Sequence, residues 1–374
     1  MRKRRATPLI VALIVAALVA TAGGPAAARG KKKGHLVRDL TVMTQNLYLG
    51  TDITPILQAA QADPASLPFV AGQAWVDVQA TDFPARAEAI ADEIAATRPE
   101  VVGLQEVSLW RTGAFEVAPP FTPAETVAYD FLDLLLDALE ARGLAYEEVV
   151  SVENFDGELP ALPPGQAPLD VRLTDRDAII ARTDLPAARL SLANAQADNY
   201  AAFPAVATPF GPLALLRGWT SVDVKVRGKS LRYVNTHLEV QAFEPYQVAQ
   251  AAELLAGPAS TSLPILLGGD FNSAGPPGPG DTATYGIISA AGFGDVWLDT
   301  HPGDVGFTCC QAADLLNPAS TLDQRIDVIF HRGGFTATTS DIVGEEPADM
   351  TPSGLWPSDH AGVVATVVMD KPGS

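Results

Sequence analysis

Short apolar runs that stop on an acid, an amide or a histidine recur through this chain from Leu40 to Met369. "TVMTQN" ends on Asn46, "VVGLQE" on Glu106, "RYVNTH" on His237, and "ILLGGDFN" on Asp270 and Asn272. "RIDVIF" holds Asp327, and "WPSDH" sets Asp359 and His360 just before the last apolar run, "AGVVATVVM". Runs of this length and β-branched content read as buried strands. Helical patterns lie between them: "DFPARAEAIADEIAATRPE", with Pro99 as its stop, "EPYQVAQAAELLAG" and "ATYGIISAAGFG". The interleaving continues to the C-terminus without an obvious linker, which constrains the chain to one continuous α/β domain over residues 40–370. An acid or amide after a strand can serve a turn, because it bonds its own backbone there. Six such endings imply a shared mouth instead, since α/β enzymes place their chemistry at strand ends and loops.

Three further stretches carry expectations. "FTPAETVAYDFLDLLLDALEARG" reads as one helix, with Thr122 as cap, Pro123 in the first turn, Glu125 closing a capping box and Gly143 ending it. Val127, Phe131, Leu134, Leu135 and Ala138 form its apolar face; Asp130, Asp133, Asp137 and Glu140 form a solvated one. Residues 151–170, rich in Pro, Gly and acids, read as a surface loop or a lid. "SAGPPGPGD" is a second loop.

The N-terminus stands apart. "MRKRR", the apolar run Pro8 to Ala20 and the small-residue stretch "TAGGPAAARG" make a secretory leader cleaved after Ala28. The apolar run is too short to span a bilayer, which takes roughly 20 residues, so no stable membrane anchor is expected and the mature chain is expected outside the cell. Residues 29–39 then form a basic linker. The formal charge is −19, and loss of Arg2, Lys3, Arg4 and Arg5 with no acid takes it to about −23. Such a surface repels polyanions at long range and leaves a nuclease dependent on a local cation site. The only cysteines, Cys309 and Cys310, are adjacent. That excludes a disulfide scaffold and a thiolate zinc site, and leaves two readings open: a vicinal disulfide or two buried thiols.

QN at 45–46, LQE at 104–106, NTHLE at 235–239, GDFN at 269–272, RID at 325–327 and SDH at 358–360 occur in this order. Taken together they resemble the endonuclease/exonuclease/phosphatase superfamily, with its deoxyribonuclease I-like fold. The resemblance implies a four-layer α/β sandwich, two stacked mixed β-sheets flanked by helices, with the site at one end. It also implies metal-dependent cleavage of a phosphoester P–O bond. The residue types suit that chemistry. An anionic phosphoester repels a nucleophile, so its site needs a hard cation and fixed donors. Mg²⁺, with Mn²⁺ or Ca²⁺ as alternatives, takes oxygen ligands, for which Glu106 and Asp359 are candidates, with Asn46 as an amide ligand or orienter. His360 would act as general base or orient the water, with Asp327 on its other ring nitrogen. His237 would donate to a phosphoryl oxygen, while Asp270 and Asn272 position nucleophile and phosphate. Whether Asp270 or His360 takes the proton stays open. By resemblance, Arg217 contacts phosphate and Asp175 pairs with His237.

The expected activity is therefore that of a monomeric, exported phosphodiesterase or endonuclease working by in-line water attack on a phosphoester. Two substrate alternatives stand beside nucleic acid. A phospholipase C or sphingomyelinase would need exposed apolar loops, for which "FTPAETVAY" and Trp356 are candidates. An inositol-phosphate or nucleotide phosphatase would need a basic pocket, for which Arg172, Arg176, Arg182 and Arg217 are candidates. A catalytically inactive binding module is the alternative outside enzymology.

Overall fold

The computed structural model describes residues 39–118, 122–208, 211–276 and 281–369. The expected leader and basic linker lie outside the described residues, apart from Asp39. Eight strands make the first sheet: β1 (Asp39–Asn46), β2 (Val101–Gln105), β3 (Leu109–Gly113), β4 (Thr126–Asp130), β5 (Tyr146–Ala161), β6 (Leu169–Arg182), β15 (Phe335–Val343) and β16 (Gly362–Met369). Six make the second: β7 (Leu190–Asn199), β10 (Gly218–Val226), β11 (Lys229–His237), β12 (Ile265–Asp270), β13 (Gly294–Asp295) and β14 (Asp327–Arg332). A small hairpin, β8 (Ala205–Thr208) and β9 (Gly211–Ala214), stands alone. The helices are α1 (Thr54–Ala62), α2 (Leu67–Ala80), α3 (Phe83–Thr97), α4 (Phe131–Ala141), α5 (Glu244–Ala256), α6 (Thr284–Ala290) and α7 (Val296–Thr300).

Three apolar layers hold these parts together, and they follow from the alternation of each strand. In β1, Leu40 and Val42 face the second sheet, while Met43 faces α2, α3 and α4. In β12, Leu266 faces the first sheet, while Ile265 and Leu267 pack on α5 and α6. Both faces of each central strand are covered, so the strands read as unbroken apolar runs. The result is the expected four-layer sandwich of two mixed sheets flanked by helices.

The sheets approach closely where side chains are smallest. A Cβ on Gly103 of β2 would lie 2.6 Å from the Tyr233 hydroxyl and 2.5 Å from Asn235 Oδ1. That hydroxyl, from β11, donates to the Met43 carbonyl of β1 across the interface at 3.0 Å. Gly269 has φ of +151° and no room for a side chain, since a Cβ would meet the Thr236 carbonyl oxygen at 2.0 Å.

Two expectations are corrected. The helix over residues 122–143 begins only at Phe131; Thr126–Asp130 pairs with β3 as β4, and Asp130 caps α4 by accepting from the Leu132 N–H at 3.1 Å. Strand and helix join without Gly or Pro, so the sequence offers no break, and Thr122 and Glu125 form no capping box on α4. Residues 151–170 do not form one loop or lid: of these, only 162–168, between β5 and β6, lie outside strands. Residues 151–161 continue β5, which pairs with β6 alone and so tolerates Pro160. The turn beyond is pinned to α2, where Leu162 N–H donates to the Pro68 carbonyl at 2.7 Å. The adjacent cysteines, left open by the sequence, are joined as a disulfide.

Candidate active site

Strand register gathers the mouth. On the second sheet His237 pairs with Asp270, and Asp270 with Asp327, so β11, β12 and β14 set these three side by side. On the first sheet Asn46 pairs with Gln105, which puts Glu106 at the same edge, and His360 lies two residues before β16. β1 and β2 run parallel, as do β11 and β12, so their carboxyl ends lie together.

Asp270 forms a turn with one carboxylate oxygen and presents the other to the mouth. Its Oδ1 accepts from the Asn272 N–H at 2.8 Å, an Asx turn that carries Asn272 at φ of +47°. Its Oδ2 faces the mouth: Asn46 Nδ2 donates to it at 3.2 Å, His237 Nε2 lies at 3.5 Å and His360 Nε2 at 3.9 Å. Burial, then the neighbouring Asp327, pushes the Asp270 carboxyl up to about 7. Glu106 sits at φ of +55°, at the break between β2 and β3. Its Oε2 takes the Leu49 N–H at 2.7 Å. Backbone in this region is costly for a residue with a side chain, and such positions concentrate at functional sites.

The two histidines are opposites. His360 Nδ1 lies 2.8 Å from Asp327 Oδ2. Burial works against its charge, but Asp327, Asp359 and Asp270 outweigh burial and hold its pKa well above the usual imidazole value. His237 is buried, and burial together with Arg217 and His360 holds it well below that value, so it is neutral. Asn272 Nδ2 approaches His237 Nε2 at 3.2 Å and also donates to the Leu238 carbonyl at 3.0 Å. Arg217 Nη1 lies 3.1 Å from both ring nitrogens of His237.

The pairing of Asp175 with His237 is corrected. The acid facing His237 Nδ1 is Asp177, at 3.9 Å, held from behind by Asn154 Nδ2 at 2.9 Å. Asp175 and Asp177 are two apart on β6 and point to the same side, so the sequence could not rank them. Asp175 remains at the mouth: burial, then Glu106, raises it to about 7, and Arg217 lowers it.

Among the described residues, Asp270, Asp327 and His360 bring one ligand atom each within 4.8 Å of one another, a geometry that could hold an ion. His360 Nδ1 is engaged by Asp327 at 2.8 Å, which leaves Nε2 as its open ring nitrogen. Glu106 and Asp359 fit a hard cation better. Both offer carboxylate oxygens, and burial raises both; Asp359 raises Glu106 further, while His360 and Arg86 lower Asp359. Asn46 Oδ1 takes the Tyr48 N–H at 2.9 Å while its Nδ2 holds Asp270, which supports orienting over ligation.

Several supporting residues were not among the sequence candidates, although Gln45, Asn235, Glu239 and Ser358 lie inside the motifs. Arg86 of α3 is fully buried and donates to the carbonyls of Thr81, Leu47, Tyr48 and Pro357, pinning the segments after Asn46 and before Asp359. Gln45 Nε2 donates to the His360 carbonyl at 3.3 Å, and Ser358 Oγ to the Asn46 carbonyl at 2.7 Å. Asn235, inside the NTH motif, points away from the mouth and bridges the sheets through the Leu104 and Ala178 carbonyls. Glu239 lies 3.6 Å from Arg217 Nη2. A motif shows that these side chains are polar, not which surface they meet.

Two stacked mixed sheets, helices outside and a polar mouth at one end constitute the deoxyribonuclease I-like fold. The chain belongs to the endonuclease/exonuclease/phosphatase family, whose model matches residues 43–360. No curated protein matches it in sequence. Among solved structures it is similar to an endonuclease/exonuclease/phosphatase family protein of Bacteroides thetaiotaomicron, with TM-score 0.54 and 18% identity over 89% of this chain and 98% of the other. A mannosyl-6-phosphatase of the same organism gives TM-score 0.53 and 18% identity over 88% and 100%. D. rerio TDP2 complexed with a single-strand DNA product gives 0.51 and 15% over 88% and 98%. At these identities the likeness is one of fold.

Proposed function

We propose that this chain is a divalent-metal-dependent phosphodiesterase of nuclease type, hydrolysing a P–O bond by in-line attack of water. The observation that carries this reading is the row His237–Asp270–Asp327–His360, with Glu106 and Asp359 beside it. A bound Mg²⁺ on Glu106 and Asp359 would supply Lewis-acid neutralisation of phosphoryl charge. Neutral His237, Asn272 and Arg217 would bind the non-bridging oxygens. Asp327 fixes the His360 ring through Nδ1, leaving Nε2 directed at Asp270 and Asp359. When negative charge around Nε2 is neutralised, His360 loses part of what keeps it protonated and can accept the proton of the attacking water. Asp270, poised near neutrality, is the other acceptor within reach. The phosphorus–oxygen bond to the leaving alcohol breaks on the opposite side, giving a phosphomonoester and an alcohol.

Nucleic acid is the leading substrate class. The inositol-phosphate alternative is weakened because Arg172, Arg176 and Arg182 pair with Asp156, Asp130 and Asp184, leaving Arg217 alone of the four at the mouth. The phospholipid alternative loses Trp356, which is fully buried with its indole N–H on the Asn317 carbonyl at 2.8 Å. We further propose export through the 1–28 leader, a domain over 40–370 and a monomeric enzyme. Among the described residues no helix is long and apolar enough to cross a membrane.

The test is hydrolysis of plasmid DNA, RNA, sphingomyelin, inositol phosphates and bis-p-nitrophenyl phosphate, each with Mg²⁺ or EDTA. Activity on DNA or the diester that vanishes in EDTA is expected; activity unchanged in EDTA would remove the cation from the mechanism. His360→Ala should lower turnover by about 10²–10⁴-fold with the fold intact. Near-normal turnover would refute the role of His360.

A further inference from the structure

A cleft of about 190 Å³ adjoins the segments that build the mouth, lined by Gln241, Ala274, Asp281, Phe307, Asp323 and Gln324 among others. Gln241 follows His237 by four residues, Ala274 follows Asn272 by two, and Gln324 precedes Asp327 by three. Phe307 precedes Thr308, whose Oγ1 accepts from the Asp327 N–H at 3.1 Å. An extended chain spans at most about 3.6 Å per residue, so Ala274 lies within about 7 Å of Asn272, and Gln324 within about 11 Å of Asp327, Cα to Cα.

Hydrogen bonds fix the walls. Gln241 Nε2 donates to Gln324 Oε1 at 2.8 Å and also to Asp281 Oδ2, and Asp281 Oδ1 takes the Ala274 N–H at 2.8 Å. Thr282 Oγ1, next to Asp281, donates to Gln247 Oε1 at 2.7 Å. Gln247 Nε2 in turn donates to the Asn272 carbonyl at 2.7 Å, which ties the Asp281 wall to the mouth. Three polar ends stay open: among the described residues Gln241 Oε1, Gln324 Nε2 and the Asp323 carboxylate have no hydrogen-bond partner. Phe307, 41% exposed, supplies an aromatic face. The cation on the wall, Arg325, is buried and already paired: Nη1 lies 2.7 Å from Asp295 Oδ2, and Nη2 donates to the Pro276 carbonyl at 2.7 Å.

This lining selects its occupant. Two acids without a free cation repel a second phosphate. Open acceptors, an amide donor and an aromatic face suit an uncharged ring that carries hydroxyls. Its O–H groups can donate to Asp323 and Gln241, an oxygen can accept from Gln324, and its C–H face can lie on Phe307. Drug-sized sites run to roughly 300–1,000 Å³, so this smaller cleft has room for one ring. Resting on the reading of the mouth as a phosphoester site, we propose that the cleft is the subsite for the group next to the scissile phosphate. It takes an uncharged sugar ring, of a terminal nucleoside or of a hexose, in preference to a further phosphate.

Calorimetric Kd values for methyl phosphate, glucose 6-phosphate, thymidine 5′-phosphate and thymidine 3′,5′-bisphosphate, on the full chain with Mg²⁺, test this without turnover. At least one sugar monophosphate should bind about tenfold or more tightly than methyl phosphate, and the one that does so identifies the sugar. The second phosphate of the bisphosphate should remove the gain. Phe307→Ala and Gln324→Ala should each bring the sugar monophosphate to within about threefold of methyl phosphate, whose own Kd should not move. Asp323→Lys, at an exposed position, should reverse the charge preference, so that the bisphosphate binds tighter than the monophosphate. Equal Kd values for methyl phosphate and both sugar monophosphates would overturn the proposal, as would a gain that survives both Phe307→Ala and Gln324→Ala. Hydrolysis of bis-p-nitrophenyl phosphate with no sugar gain would refute the subsite alone. A sugar gain that the variants abolish, in a protein that hydrolyses no diester, would uphold the subsite and refute the phosphodiesterase reading. Binding of none of the four compounds would refute both.

Discussion

At the scale of single residues, the mouth works by giving identical groups different surroundings. His237 and His360 lie on opposite sides of Asp270 Oδ2, yet one is held neutral and the other charged. The partner of His237 is the point at which sequence and structure part. If Asp177 fixes the orientation of the neutral ring, Asp177→Asn should cost about 10–100-fold in turnover on a diester, as loss of an orienting acid does elsewhere. Asp175→Asn should cost less, and the comparison of kcat between the two variants, with circular dichroism to confirm folding, is the check. An equal or larger loss at Asp175 would restore the pairing that the motif implied. Asp175 and Asp177 stand two apart on one face of β6, and choosing between them needs the twist of β6 and the position of Asn154.

At the scale of elements, α3 is more than a covering helix. Phe83 stacks on Phe131 of α4 with ring centroids 3.6 Å apart, and Ile90 and Ile94 seal the outer core, while Arg86 reaches through to the loops of the mouth. Burial lowers the Arg86 pKa to about 10, so it stays charged at neutral pH beside Asp359 and Glu106. Arg86→Ala would strand several carbonyl groups and remove a cation from two acids. We expect a loss of about 3 kcal/mol in stability, read as a lower denaturant midpoint, together with a fall in turnover. A variant with unchanged midpoint would show that water replaces the clamp at no cost. The periodicity of α3 announces its apolar face but not this polar reach. In α4 the periodic signal ran past its true start, because β4 ends on a residue, Asp130, that both closes a strand and caps a helix.

Across the whole molecule, acids held above their ordinary values dominate the pH response. The folded-state values of Asp175 and Asp270 are raised to about 7, so the folded chain binds more protons than the unfolded one between about pH 4 and that value. Their contribution therefore falls as pH rises through this window. His360, raised, acts in the same direction, its stabilisation being full below the unfolded imidazole value of about 6.5 and lost as pH passes the folded one. His237, lowered, acts oppositely below about 6.5. Metal-free protein in EDTA should thus melt at a higher temperature near pH 5 than near pH 7.5, and Mg²⁺ should narrow the gap; a Tm that rises with pH in EDTA would contradict this. By itself the sequence determined the alternation of strands and helices and the ordered polar endings, because these depend on local periodicity and on residue type; the layered class of fold came only as what the family resemblance implied. Only the tertiary structure decided which acid faces His237, that residues 151–161 pair as a strand, that Arg86 holds the mouth together and that Gln241, Phe307 and Gln324 share one cleft. Each of these depends on contacts between segments distant in the chain, where register, twist and burial, rather than residue type, set what a side chain meets.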